Sequence, residues 1–150
     1  MSEHKVSIHW QSQSDDFFYK AYDRTHTWKF EGGTAVKASS APEFLGKIEY
    51  VNPEEAMVAA LSSCHMLTFL AIASRRKFVI NKYTDHAVGL MQKNDKGKLA
   101  ITKVFLRPQI EFGGTTQPDQ ATIEHIHHLS HEDCFIANSV LTEIIVEPIF

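Results

Sequence analysis

The sequence predicts an α+β fold in which antiparallel sheets pack on central helices. Three observations predict it. Val6, Ile8 and Trp10 alternate with Lys5, Ser7, His9 and Gln11, the period of a half-buried strand. An apolar segment of helical length opens behind Asn52-Pro53-Glu54-Glu55. Two long strand-like segments then flank the turn signal Asn94-Asp95-Lys96-Gly97, and a second helical pattern follows them. A length of 150 residues points to one domain spanning 1–150.

The expected order is N-terminal strands over 1–50, a central helix over 53–76, a strand hairpin over 80–112, and helices with a last strand over 118–150. In the first third, Phe17-Phe18-Tyr19 forms a second apolar stretch. A hairpin is expected around Gly32-Gly33, between Thr27–Phe30 and Thr34–Val36. Asn52 suits a helix cap, Pro53 the first turn, and Glu54 and Glu55 the positive end of the helix dipole. Arg75 and Arg76 suit the other end. The apolar residues of this helix, from Ala56 to Ile72, cover almost every side. A helix apolar all round is buried all round, and a chain of this size cannot wrap one alone. A partner subunit is therefore expected.

Ile80–Lys93 and Leu99–Phe112 read as two long strands. In the second, Thr102, Val104, Leu106, Pro108, Ile110 and Phe112 share one face, and Lys103, Arg107, Gln109 and Glu111 the other. Pro118-Asp119 starts the second helix, with Ile123, Ile126 and Leu129 as its apolar stripe. A short helical turn from Cys134 to Leu141 leads into a last strand, Glu143–Ile149.

Hydrophobic residues make up 43% and charged residues 22%, and the net charge is −3 with no block of like charge. Nothing in this balance suggests binding to nucleic acid or to an anionic membrane. The start, Met1-Ser2-Glu3-His4-Lys5, lacks the basic-then-apolar order of a secretory signal, so a cytoplasmic location is expected. Ala56–Ala73 is apolar, yet it holds Ser62, Ser63, His65 and Thr68 and is read as a buried helix of a soluble protein. Two cysteines lie 70 positions apart, too few for a disulfide scaffold. In a reducing compartment they are core residues, metal ligands or redox groups.

Cys64 lies mid-helix, where Ser62, Ser63 and His65 make the one polar break. It is either a core thiol or the centre of a site that needs polar partners. Cys134 follows Ser130-His131-Glu132-Asp133. It is either a small junction residue or a thiol whose ionised form a helix N-terminus favours. His125, His127, His128 and His131 cluster before it, and His127 and His131, at i and i+4, have the spacing to share a metal. No further metal motif supports that, and surface histidines are the commoner case. Arg24 and Glu54 are the charged candidates: a reactive thiolate needs a fixed positive charge, and a buried guanidinium needs a carboxylate.

Three segments carry a family resemblance. Asn52-Pro53-Glu54-Glu55-Ala56 through Ala59-Ala60-Leu61-Ser62-Ser63-Cys64 resembles the Asn-Pro-Glu…Ala-Ala…Cys signature of the OsmC/Ohr family. Asp133-Cys134-Phe135-Ile136-Ala137-Asn138-Ser139 is similar to its second motif. Ser40-Ala41-Pro42-Glu43-Phe44-Leu45-Gly46 is similar to its Ser-x-Pro-x-x-Leu-Gly stretch. The resemblance implies an intertwined homodimer that reduces organic hydroperoxides (or hydrogen peroxide) without a cofactor or metal. It makes Cys64 the peroxidatic and Cys134 the resolving cysteine, joined in a disulfide during turnover. Arg24 matches the family arginine, with Lys47 a second basic candidate, and Glu54 the glutamate that holds it. An external dithiol, often a lipoylated protein in this family, is the implied reductant, and Met57 and Leu61 are candidates to hold an alkyl tail. Phe135 stands where the family often has proline, and Arg24 lacks the glycines that flank the arginine in the Ohr branch, so the chain resembles an OsmC-like side branch. Two other readings are a redox-sensing or ligand-binding module with little turnover and a His/Cys metal-binding dimer.

Overall fold

Asn52 Oδ1 accepts from the Glu55 N–H at 2.8 Å, and the Glu55 carboxylate accepts from the Asn52 N–H at 3.1 Å. This reciprocal cap satisfies donors that the first helical turn leaves free. Helix α1, Pro53–Arg75, runs from it. The computed structural model describes all 150 residues. They form two compact units, Met1–Ala56 and Met57–Phe150, whose boundary falls in the first turn of α1.

The first unit holds a three-stranded antiparallel sheet in the order β1 (Val6–His9), β2 (His26–Phe30), β3 (Ala35–Ala38). The β2–β3 hairpin turns on Gly33, at φ 91°, a value open to glycine and strained for other residues. The alternation of β1 is present, but Val6 and Ile8 are 52% and 56% exposed, because nothing in the unit covers this edge strand. Phe17-Phe18-Tyr19 is no strand: it forms an exposed turn closed by Ala21 N–H donating to the Phe18 carbonyl. After β3 the chain makes a 3-10 turn, Pro42–Phe44, and doubles back at Leu45 and Gly46. A Cβ on Gly46 would lie 1.6 Å from the Ser40 carbonyl oxygen, so the close return of this loop requires glycine.

The second unit is built on the rest of α1. Its buried residues are Leu61, His65, Phe69 and Ala73, one stripe at spacing four. The other apolar positions are partly or fully exposed, and Leu67 is 59% exposed. Burial on all sides is thus not achieved within one chain. The helix is long and apolar enough to cross a membrane, with a mean hydropathy of 1.8.

Each long strand of the sequence reading is in fact two. β4 (Val79–Asp85) pairs antiparallel with β7 (Pro108–Gly113), while β5 (Val88–Lys93) pairs antiparallel with β6 (Leu99–Leu106). The break has a physical cause. Pro108 cannot donate to a ladder, and Asp85 Oδ1 takes the Arg107 N–H at 2.7 Å, turning the chain onto a second sheet. The β5–β6 turn closes on Asn94, whose Oδ1 accepts from the Lys96 and Lys98 N–H groups. Helix α2, Gln120–Asp133, starts where Asp119 caps the Thr122 N–H at 2.8 Å. The last strand, β8 (Glu143–Val146), lies parallel to β6, so that sheet is mixed rather than wholly antiparallel. Two cores result. Leu61 packs with Val104 and Leu106, and Phe69 and Ala73 pack with Ile126.

Candidate active site

Cys64 follows Leu61 by three residues and stands off the buried stripe of α1, so its thiol is only partly covered. Cys134 lies immediately after α2 and is 1% exposed. The two cysteines are close enough for their thiols to influence one another. Burial first, and the neighbouring Cys64 thiol second, push the Cys134 thiol up to about 11. The Ala137 N–H, which reaches Cys134 Sγ at 3.4 Å, acts the other way without reversing the balance. Cys134 is therefore held protonated at neutral pH, beside Cys64.

This corrects the expectation that a helix N-terminus favours the Cys134 thiolate. Cys134 is the C-terminal cap of α2, at φ −69° and ψ 113°, where the dipole disfavours negative charge. The turn that follows is only Ala137–Ser139. Leu61 is also corrected: buried against Val104 and Leu106, it belongs to the core and is closed to an alkyl tail.

In the first unit, Arg24 sends one guanidinium nitrogen to the Tyr22 carbonyl at 2.9 Å and another to the Tyr19 carbonyl at 2.6 Å. The Tyr22 ring lies 4.0 Å from its central carbon. Arg24 forms no ion pair with Glu54, whose Oε2 is buried without a partner. Lys47 is paired with Asp23 at 2.7 Å, a contact that holds the Asp23 carboxyl far below the usual range. Arg24 also faces a cavity of about 470 Å³ walled by Ile8, Trp10, Phe17, Tyr22 and His26. Trp10, Phe17 and Tyr22 touch one another there with ring centroids 5.1–6.3 Å apart.

A polar group in the second unit escaped the sequence reading. His65 Nε2 and His127 Nδ1 are hydrogen-bonded at 3.0 Å between stacked rings, with both residues almost wholly buried. Burial lowers His65 to about 4 and His127 to about 3, so both imidazoles are neutral near pH 7. Asp85 also binds the Ser62 hydroxyl, and burial raises the nearby Tyr83 hydroxyl above its ordinary range. The signal available was His65 itself, in the one polar break of α1. Its partner, His127, 62 residues away, stood out only for its i, i+4 spacing to His131, which says nothing of His65. The His125, His127, His128, His131 and Cys134 cluster does not gather as one set: Cys134 lies by Cys64 and His125 faces solvent, while His127, bonded through Nδ1 to His65, lines one cavity with His128 and His131. No three His, Cys, Asp or Glu side chains are preassembled around a metal position.

The OsmC-like protein family profile matches residues 46–148. An OsmC-like protein of unknown function from Vibrio cholerae is 50% identical to the chain, with a TM-score of 0.96 over 99% of this chain and all of that one. An organic hydroperoxide resistance protein OsmC from Legionella pneumophila has a TM-score of 0.70 at 18% identity, over 99% and 96%. The organic hydroperoxide resistance protein OhrB of Bacillus subtilis has 0.71 at 14% identity, over 99% and 98%. At these identities the last two show a common fold. No curated protein sequence matches the chain.

Proposed function

Because this chain belongs to the OsmC-like protein family, we propose that it is a cytoplasmic thiol peroxidase for organic hydroperoxides, working through Cys64 and Cys134. The observation that carries the reading is the asymmetric thiol pair. Cys64 is the more accessible cysteine, while Cys134 beside it is buried and keeps its proton. The thiolate is the nucleophile, so chemistry starts at Cys64. Its sulfur attacks the distal peroxide oxygen, and the O–O bond breaks. The departing alkoxide takes a proton and leaves as alcohol, and Cys64 becomes a sulfenic acid. The Cys134 sulfur then displaces the sulfenic hydroxyl. The S–S bond forms, and the Cys134 proton leaves with the hydroxyl as water. An external dithiol, such as a lipoyl group on a protein, restores both thiols by exchange.

The test is peroxide consumption by purified protein with cumene hydroperoxide and dihydrolipoamide. Sustained turnover is expected. Oxidation of one equivalent followed by arrest, with the dithiol in excess, would show a sensor instead of an enzyme.

Arg24 and Glu54 enter the proposal as the charge that supports the Cys64 thiolate and the carboxylate that orients that charge. Their support is the family motif and the buried, unpartnered Glu54 oxygen, a group that ordinarily has a partner. Arg24→Ala is expected to slow the first oxidation of Cys64 at neutral pH by roughly tenfold or more, the effect of losing one charge-assisted contact. Stopped-flow measurement of a single oxidation checks this. An unchanged rate removes Arg24 from the site.

A homodimer belongs to the same proposal, supported by the half-covered apolar surface of α1 and the uncovered face of β1. Light scattering at micromolar concentration is expected to give twice the chain mass, with an interface above about 2,000 Å². A stable monomer would leave that apolar surface unexplained and contradict the assignment.

A further inference from the structure

Glu124, His127, His128 and His131 occupy positions i, i+3, i+4 and i+7 of α2, one face of the helix, and all four line a cavity of about 420 Å³. Its remaining walls are apolar: Ile144, Val146 and Pro148. His127 is 3% exposed, and its Nε2 has no hydrogen-bond partner. His131 Nδ1, one turn later, is likewise buried and unpartnered. A buried polar nitrogen without a partner is costly and unusual in a native protein, and here two belong to side chains that line one hollow.

The geometry points to a binding site for a first-row divalent transition metal in this hollow, with His127 Nε2 and His131 Nδ1 as its fixed donors and Glu124 closing over the ion. Several features select a cation over other ligands. No lysine or arginine lines the cavity, and Glu124 brings a negative charge, so an anion is disfavoured. Imidazole nitrogens with a carboxylate are the donor set of zinc, cobalt and nickel rather than of magnesium or calcium. Glu-x-x-His and His-x-x-x-His spacings on one helix face are known ways to present such donors. His127 also has the support that metal-binding histidines use: its other nitrogen is held by His65 at 3.0 Å, which fixes the ring. Glu124 and His128 are exposed rim residues, and a third donor comes from the rotation of one of them. That is consistent with the lack of a preassembled three-donor group.

The inference does not rest on the peroxidase reading, and the experiment separates the two. Cobalt(II) is titrated into the full-length protein, wild type and with both cysteines changed to serine, followed by visible absorption and competition with zinc. One cobalt per chain is expected in both proteins, with d–d bands and no thiolate-to-cobalt charge-transfer band. His127→Gln and His131→Gln should each weaken binding at least roughly tenfold, and His65→Gln roughly tenfold to a hundredfold. His125→Gln, on the same helix but outside the cavity, should leave it unchanged. Circular dichroism checks each variant. If His127→Gln fails to fold, His131→Gln, at a half-buried position, decides the matter alone. Absence of binding, binding that survives His131→Gln, or a site lost with the cysteines each overturns the inference.

Discussion

Cys64→Ser is expected to reduce peroxide consumption to the background rate, while Cys134→Ser still reacts once. The difference follows from where each sulfur stands. Serine at 64 removes the partly exposed nucleophile, and the remaining thiol, Cys134, is 1% exposed and kept from ionising by its burial. A buried, protonated thiol is a poor replacement for a reactive thiolate. Serine at 134 leaves the first oxidation intact but removes the sulfur that would displace the sulfenic hydroxyl. The sulfenic acid should persist long enough to trap, or go on to the sulfinic acid as peroxide accumulates. Mass spectrometry after one equivalent of peroxide reads the outcome directly. Oxidation appearing first on Cys134, with Cys64 untouched, would reverse the assigned roles.

The second large effect is on stability in acid. His65 and His127 are folded as neutral rings with values near 4 and 3, against about 6.5 for a free imidazole. Below pH 6.5 the unfolded chain binds protons that the folded chain refuses, so stability falls as the pH drops. The contribution is fully present above 6.5 and is lost progressively toward pH 4. For His65 alone, two and a half units correspond to roughly 3 kcal/mol. Urea midpoints measured from pH 7.5 to 4.5 should decline across this window. His127→Phe removes one of the two buried bases, so its decline should be shallower by up to about 1.4 kcal/mol per pH unit. Parallel curves for wild type and variant would mean that these rings do not carry the acid sensitivity.

Local chemistry made much of this fold legible. The caps at Asn52 and Asp119 and the turns at Gly33 and Asn94 are short-range devices whose side chains and backbones satisfy one another within four residues. The α1 segment is one helix because no proline or glycine interrupts it. The split of the long strands was hidden, because alternation continues unbroken through Arg107 and Pro108. The corner depends on Asp85, 22 residues earlier, accepting the Arg107 N–H. The parallel return of β8 is tertiary in the same sense. The position of Cys134 relative to α2 was misread because Ser130-His131-Glu132-Asp133 carries no glycine stop, and the helix runs through it to Asp133. Of the candidate site, the cysteine pair was legible through its motifs. The His65–His127 contact was not, since nothing in the sequence marks which of the four histidines of α2 meets His65. Arg24 and Glu54, the charged candidates, each have an environment the sequence does not disclose: two backbone carbonyls and an aromatic ring for one, no partner for the other.

The placement of the cysteines has one more consequence. Cys64 lies within α1 and Cys134 just beyond α2, so strands β4 to β7, with two of the second unit's three strand pairings, fall between them. A bond between the two sulfurs closes a loop of about 70 residues and so restricts the unfolded chain, an effect on the order of 4 kcal/mol. Oxidant and durability are thereby linked. In the proposed cycle the molecule would be hardest for a protease to open just when it has spent its reducing equivalents, and perishable again once a dithiol has recharged it. Under peroxide pressure the cell would accumulate the exhausted form rather than clear it, keeping a stock that revives as soon as reductant returns.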